Sequence, residues 1–213
     1  MRRWPFIVVG LTGSVATGKS TAATMIRGLG IPVFDADAAV HSLLRAGGRA
    51  VPAVAAAFPS VVGDCGVDRR ALGNQVFKNP DSLKQLEGIL HPLVKEARTL
   101  FLKQCAAHRQ SLVVIDAPLL FETGGNKTCD FVMVVSAPDF VQEQRVLRRA
   151  GMNEKKLAGI LANQMPDEEK RRCADGVVLS GSGKRETLRR ITKCLKAART
   201  RRRNVLRRLP CVK

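Results

Sequence analysis

The chain has 213 residues, 45% of them hydrophobic and 25% charged. Those are globular proportions, and they exclude a wholly disordered or collagen-like chain. Lysine and arginine total 36 against 18 acidic residues, a formal charge of +18, which points to an anionic partner such as nucleic acid, a membrane surface or a phosphorylated small molecule.

Phe6-Ile7-Val8-Val9-Gly10-Leu11 is a short apolar, β-branched run and predicts a buried strand. A Gly-rich turn follows, then a helix from about Lys19 to Leu29, ended by Gly30. Ile31 to Phe34 predicts a second strand closing at Asp35-Ala36-Asp37. From Ala38 to about Arg109 the pattern is mostly helical, with breaks expected at Gly47-Gly48, Pro59, Asn79-Pro80 and His91-Pro92. Leu112 to Asp116 and Phe131 to Val135 predict strands three and four. Helices are expected from Phe140 to Ala150 and from Glu154 to Gln164, a fifth strand at Asp175 to Leu179, and a last helix from Glu186 to about Leu206. Continuous Val/Ile strands alternating with helices describe an α/β protein with a five-stranded parallel sheet covered on both faces. The stretch between strands two and three is too long for a crossover and reads as an inserted lobe.

The positive charge is uneven. Lys184 to Lys213 holds 13 basic residues and one acid, Glu186, or +12; the first 183 residues hold 23 and 17, or +6. Six cysteines show no CxxC pair and no zinc spacing, so reduced thiols and a cytoplasmic location are expected. No apolar run approaches the roughly 18–20 residues of a membrane span.

Gly13-Ser14-Val15-Ala16-Thr17-Gly18-Lys19-Ser20 fits G-x-x-x-x-G-K-[ST] at every fixed position, between a strand and a helix. Such a loop turns backbone N–H groups around phosphate oxygens at a helix amino terminus. Lys19 can reach the β- and γ-phosphates, and the Ser20 hydroxyl can ligate Mg²⁺. A nucleoside triphosphate and Mg²⁺ are therefore expected, and the motif does not say which triphosphate. A GTPase would need Asn-Lys-x-Asp after a later strand; Asn126-Lys127-Thr128-Cys129 lacks the Asp and reads as a surface loop. What remains is a small-molecule kinase with a nucleotide core, an acceptor-binding insertion and an Arg-rich lid.

Asp35 reads as a helix cap. Asp37, at the end of strand two, is either a second capping residue or a base that accepts the proton of an attacking hydroxyl. Asp116 ends strand three, where an acid either supports the metal or bonds to the phosphate loop. Glu122 is a supporting charge or an exposed one. Arg145, Arg148 and Arg149 are either a phosphoryl-clamping set or a solvated basic face. His41 follows Asp37 by four residues and can share its helical face.

The ordered set resembles the dephospho-CoA kinase family from about Ile7 to Ile191. Gly10-Leu11-Thr12-Gly13 through Lys19-Ser20-Thr21 resembles its first motif, and Pro32 to Asp37 its Ile-Asp-Ala-Asp segment. Leu90-His91-Pro92 and the more specific Asp116-Ala117-Pro118-Leu119-Leu120-Phe121-Glu122 also match. Arg145, Arg149, Gln164, Lys170 and Ala174-Asp175 fall at its lid and last strand. The resemblance implies a P-loop kinase fold and transfer of the ATP γ-phosphoryl group to the ribose 3′-hydroxyl of dephospho-CoA, the small-molecule partner.

It implies Asp37 as base, Thr12 near the reacting groups, and Lys19 and Arg145 on the transferred phosphoryl group. Gly13 to Thr21 and Arg149 would hold ATP, with Ser180-Gly181 near the adenine. Ser20 and Asp116 would serve the metal, and His41, His91, Leu119 and Glu122 the acceptor. Segments 1–37, 110–144 and 174–198 would form the core, 38–109 the helical acceptor insertion, 145–173 the lid and 199–213 a basic tail. Ser14, Ala150 and Ser180 stand where the family usually has Gly, Asp and Asn. A positive φ at Ser14 would carry strain.

The competing readings are a nucleoside or nucleotide kinase and a basic nucleic-acid binder that uses ATP as a switch. The Leu-Leu-Phe-Glu string opposes the first; few aromatics (4%, no Tyr) oppose single-strand stacking platforms. No obligatory nucleic acid is expected. The basic tail reads as a solvated end or as a contact for anionic surfaces.

Overall fold

The computed structural model describes residues 4–76, 79–148 and 164–208, the last seven of these as backbone only. Two compact units divide the chain: Met1–Phe34 with Cys105–Lys213, and Asp35–Gln104.

The first unit carries the sheet. Its strands are β1 (Ile7–Thr12), β2 (Val33–Asp35), β5 (Leu112–Asp116), β6 (Phe131–Ser136) and β7 (Gly176–Leu179), in the spatial order β2-β5-β1-β6-β7. Pairing is parallel from β5 through β1 and β6 to β7. Every residue of β1, β5 and β6 is buried, which is why these strands read as unbroken apolar runs. Two helices cover one face: α1 (Lys19–Gly28) through Ala22, Ala23 and Ile26, and α8 (Lys184–Arg208) through Ile191, Leu195 and Ala198. Leu120, Val132 and Val134 form a smaller cluster with Phe121 and Ala174. The remaining helices of this unit are α6 (Asp139–Leu147) and the short α7 (Asp167–Cys173).

The second unit contains α2 (Ala36–Leu44), α3 (Val51–Ala57), a hairpin of β3 (Val62–Gly63) and β4 (Gly66–Val67), α4 (Arg69–Val76) and most of α5 (Pro80–Ala107). Leu43, Val54, Phe58, Leu72, Leu86 and Leu90 build its own core. The stretch is mostly helical, as expected, with one hairpin, Val62 to Val67, that the sequence did not mark and that has Gly66 at φ 95°. One expectation is corrected here: His91-Pro92 does not break the helix, because α5 runs unbroken through Pro92. Proline removes one N–H bond, to the carbonyl four residues back, and crowds that carbonyl. That residue is Gly88, which stands in open space, while Leu86, Leu90, Leu93 and Val94 anchor both sides of the proline in one cluster. The Asn79-Pro80 break is as expected, and Asn79 Oδ1 caps the new helix at Asp81 N (2.9 Å) and Ser82 N (3.3 Å).

Among the described residues no cysteine is in a disulfide and no helix is long and apolar enough to cross a membrane.

Candidate active site

Strand register assembles the site. Leu11 of β1 lies opposite Asp116 of β5, and Ala117 N donates to Leu11 O (3.0 Å). Thr12 lies opposite Val134 of β6, and Ser136 opposite Leu179 of β7. The carboxyl ends of four neighbouring strands therefore open onto the Gly13–Ser20 loop, the usual ligand edge of such a sheet.

The loop is packed closely against the sheet. A Cβ on Gly13 would come within 2.4 Å of the Val135 carbonyl oxygen, so only glycine fits. Thr17 braces the turn, donating from N (3.3 Å) and Oγ1 (2.9 Å) to Ser14 O. Ser14 does not carry the strain its identity suggested. The left-handed positions are Ala16 (φ 59°) and Gly18 (φ 91°). The Ser14 hydroxyl is buried without a hydrogen-bond partner, a donor that a phosphate oxygen would satisfy. Helix α1 begins without a side-chain cap and without an acid in its first turn. Its free N–H groups and partial positive charge suit an anion.

Lys19 Nζ meets Asp116 Oδ1 at 2.7 Å, with the side chains 15% and 3% exposed. Ser20, the next residue, is exposed. Mg²⁺ takes one or two protein oxygens together with phosphate oxygens and water; the Ser20 hydroxyl and the Asp116 carboxylate are a donor set of that kind.

Arg145, in the last turn of α6, also reaches the loop. Its Nη1 donates to Ala16 O (3.2 Å) and Ser180 Oγ (3.0 Å), and its Nη2 to Ser180 O (3.1 Å). These acceptors are neutral, so the guanidinium brings its full charge to the loop. Ser180 Oγ in turn donates to Thr17 O, and Ser180 N to Ser136 O (2.9 Å). The Ser180 hydroxyl is thus occupied in bracing the phosphate loop. Gly181 lies against Pro138. Arg148 is exposed. Arg149, Ala150 and most of the expected 154–164 helix lie outside the described residues.

A second network lies behind the loop that follows β5. Thr12 Oγ1 donates to Pro118 O (3.0 Å), and so does Lys170 Nζ (3.3 Å). Lys170 also pairs with Glu122 Oε1 (3.0 Å), which accepts from Met165 N as well (2.9 Å). Burial pushes the Glu122 carboxyl up. The backbone N–H groups of Glu122 and Met165, together with Lys170, outweigh that and hold it below its ordinary value. Leu119 is 40% exposed on the same loop. Ser136 Oγ donates to Asp167 Oδ2 (2.6 Å), tying the start of α7 to β6.

In the second unit, Asp35 caps α2 through Ala38 N (2.9 Å). Asp37 stands in the first turn and His41 in the last turn of the same helix, both exposed, and His91 is exposed on α5.

Sequence reasoning matched Lys170 and Pro118 to the family pattern but gave neither of them, nor Ser136, a role. Lys170 sits in the run Asp167-Glu168-Glu169-Lys170-Arg171-Arg172, which reads as solvated throughout. No local signal marks it as the buried member, and the role of Pro118 lies in its carbonyl, which sequence does not display.

A family model described as dephospho-CoA kinase matches residues 7–186. The chain belongs to that family. A dephospho-CoA kinase from Rhodospirillum rubrum is 53% identical over 196 residues, covering 91% of this chain and 92% of the relative. Another from Paramagnetospirillum magneticum is 58% identical over 164 residues, or 77% of each. A solved structure from Thermus thermophilus is 35% identical, with a TM-score of 0.79, and covers 92% of this chain and 98% of the other. The five-stranded parallel sheet and phosphate loop are the P-loop kinase architecture of a dephospho-CoA kinase, an ATP-using transferase.

Proposed function

We propose that this chain transfers the γ-phosphoryl group of ATP to the ribose 3′-hydroxyl of dephospho-CoA. The observation that carries the reading is the uncapped α1 amino terminus behind the phosphate loop, with Lys19, Asp116 and Arg145 drawn onto it by strand register.

Backbone N–H groups from Gly13 to Thr21 hold the phosphates, with the Ser14 hydroxyl as an added donor. Lys19 and Arg145 supply positive charge where it develops on the transferred group. Mg²⁺, when bound, neutralises phosphate charge and orients it; Ser20 and Asp116 would hold it. Asp37 takes the proton of the 3′-hydroxyl as that oxygen attacks, and leaving-group charge passes to the ADP oxygens. His41, His91, Leu119 and Glu122 stand on the acceptor side, Glu122 through its hold on the loop. Thr12, fully buried, acts by fixing the Pro118 carbonyl. Segment 38–109 is the acceptor-binding insertion, and 145–173 with Arg149 the lid. Gly181 and the Ser180 backbone border the adenine. The reading places the chain in the cytoplasm.

The test is purified protein with Mg²⁺-ATP and dephospho-CoA, assayed for CoA. CoA formation is expected, with no turnover of nucleosides or nucleotides; the reverse result would overturn the reading. Asp37→Asn is expected to lower kcat by roughly 10²–10⁴ without loss of fold, and Lys19→Ala to remove most activity. Full kcat in a folded Asp37→Asn variant would remove Asp37 as the base.

A further inference from the structure

Lys170 has no exposed surface, although its neighbours Glu168, Glu169, Arg171 and Arg172 are all exposed. An ammonium taken out of water is costly unless it is paired and hydrogen-bonded. Both of its acceptors, Glu122 Oε1 at 3.0 Å and the Pro118 carbonyl at 3.3 Å, lie on the loop after β5. They flank Leu119, the residue of that loop proposed to face the acceptor. The Pro118 carbonyl also accepts from Thr12 Oγ1 at 3.0 Å, and Thr12 directly precedes Gly13 of the phosphate loop. One ammonium thus joins α7, the loop after β5 and, through a shared carbonyl, the root of the phosphate loop. For stability alone, a well-packed apolar side chain of similar volume would serve as well or better. A buried ion pair is better suited to fixing one arrangement among several.

We infer that Lys170 is a positioning residue for phosphoryl transfer: through Pro118 and Glu122 it holds Leu119 and the loop after β5 in register with Thr12 and the phosphate loop. The inference rests on the reading of the chain as a dephospho-CoA kinase. It touches no substrate and acts only through the groups it holds.

The test uses the full chain with four changes: Lys170→Met, Thr12→Val, Lys170→Met/Glu122→Gln, and Lys170→Met combined with Thr12→Val. Lys170→Met is expected to lower kcat/KM for dephospho-CoA by roughly ten- to a hundredfold, the scale of a small misplacement, with KM for ATP unchanged. The Lys170→Met/Glu122→Gln variant removes the buried ammonium together with its carboxylate partner, so its Tm should return toward that of the parent while kcat/KM stays low. If Lys170→Met does not fold, this double variant alone decides. Recovery of kcat/KM together with Tm would overturn the inference, since the role would then be stability only. The Thr12→Val combination should be non-additive, because both donors meet one carbonyl; additive losses would break the proposed link. A parent protein that makes no CoA strikes the assigned function itself. A parent that makes CoA, with folded Lys170 variants equally active, strikes only the positioning role.

Discussion

Asp116 and Glu122 lie six residues apart, and each carboxylate holds a lysine: Lys19 at 2.7 Å and Lys170 at 3.0 Å. The first pair was half legible in the sequence, because the phosphate-loop pattern fixes the lysine and a strand-end acid is the natural neighbour. The second was not, because its lysine is hidden in a charged run and its meaning depends on which side of α7 faces the sheet. The Glu122 carboxyl is held below its ordinary value, whereas the unfolded chain titrates near the usual glutamate value of 4.5. Its contribution to stability is therefore complete above about pH 4.5 and is lost as pH falls through the lower, folded value. Glu122→Gln is expected to cost about 2–3 kcal/mol at pH 7, with the 21% exposure of Glu122 tempering the loss. Below pH 4.5 its Tm should fall less steeply than that of the parent. Thermal unfolding from pH 7 to 3 measures both; parallel curves would contradict the assignment.

At the scale of elements, the buried parallel strands were read nearly to the residue, because strands covered on both faces need continuous apolar side chains. The helical unit was read less well. Its hairpin strands have two residues each, too short to show alternation, and Pro92 looked like a stop because local rules omit what the neighbouring core can tolerate. The correction makes a prediction. Pro92 is exposed in the interior of α5, so the helix lacks one hydrogen bond there. Pro92→Ala is expected to raise stability by about 2–3 kcal/mol, from roughly 3 kcal/mol of relieved helix cost less up to about 1 kcal/mol for a freer unfolded chain. Urea unfolding with an unchanged m-value would measure the gain. A loss of stability would show that the proline is needed for the path of α5.

At the scale of the whole molecule, the charge is the feature that sequence located but did not explain. Up to Arg208 the basic end is helix. Helix α8 runs unbroken from Lys184 to Arg208, and Arg201 pairs with Asp175 beside β7. One side of the helix buries Thr187, Ile191, Cys194, Leu195 and Ala198, while Arg185, Arg189, Lys193, Lys196 and Arg199 are exposed. Glu186 answers Arg189 and Arg190, and Arg185, Lys193, Lys196 and Arg199 are further exposed cations among the described side chains. Removing the chain from Arg199 onward would cut a packed helix and break the Arg201–Asp175 pair, confusing charge with stability. Neutralising those four residues to Gln keeps the buried side and the helix intact. Charge on that side does not touch the phosphate loop, so kcat should stay within about twofold of the parent, while elution from heparin should shift to lower salt by the loss of four cations. A large fall in kcat/KM with unchanged kcat and Tm would mean that the field of α8 steers the anionic substrates toward the site.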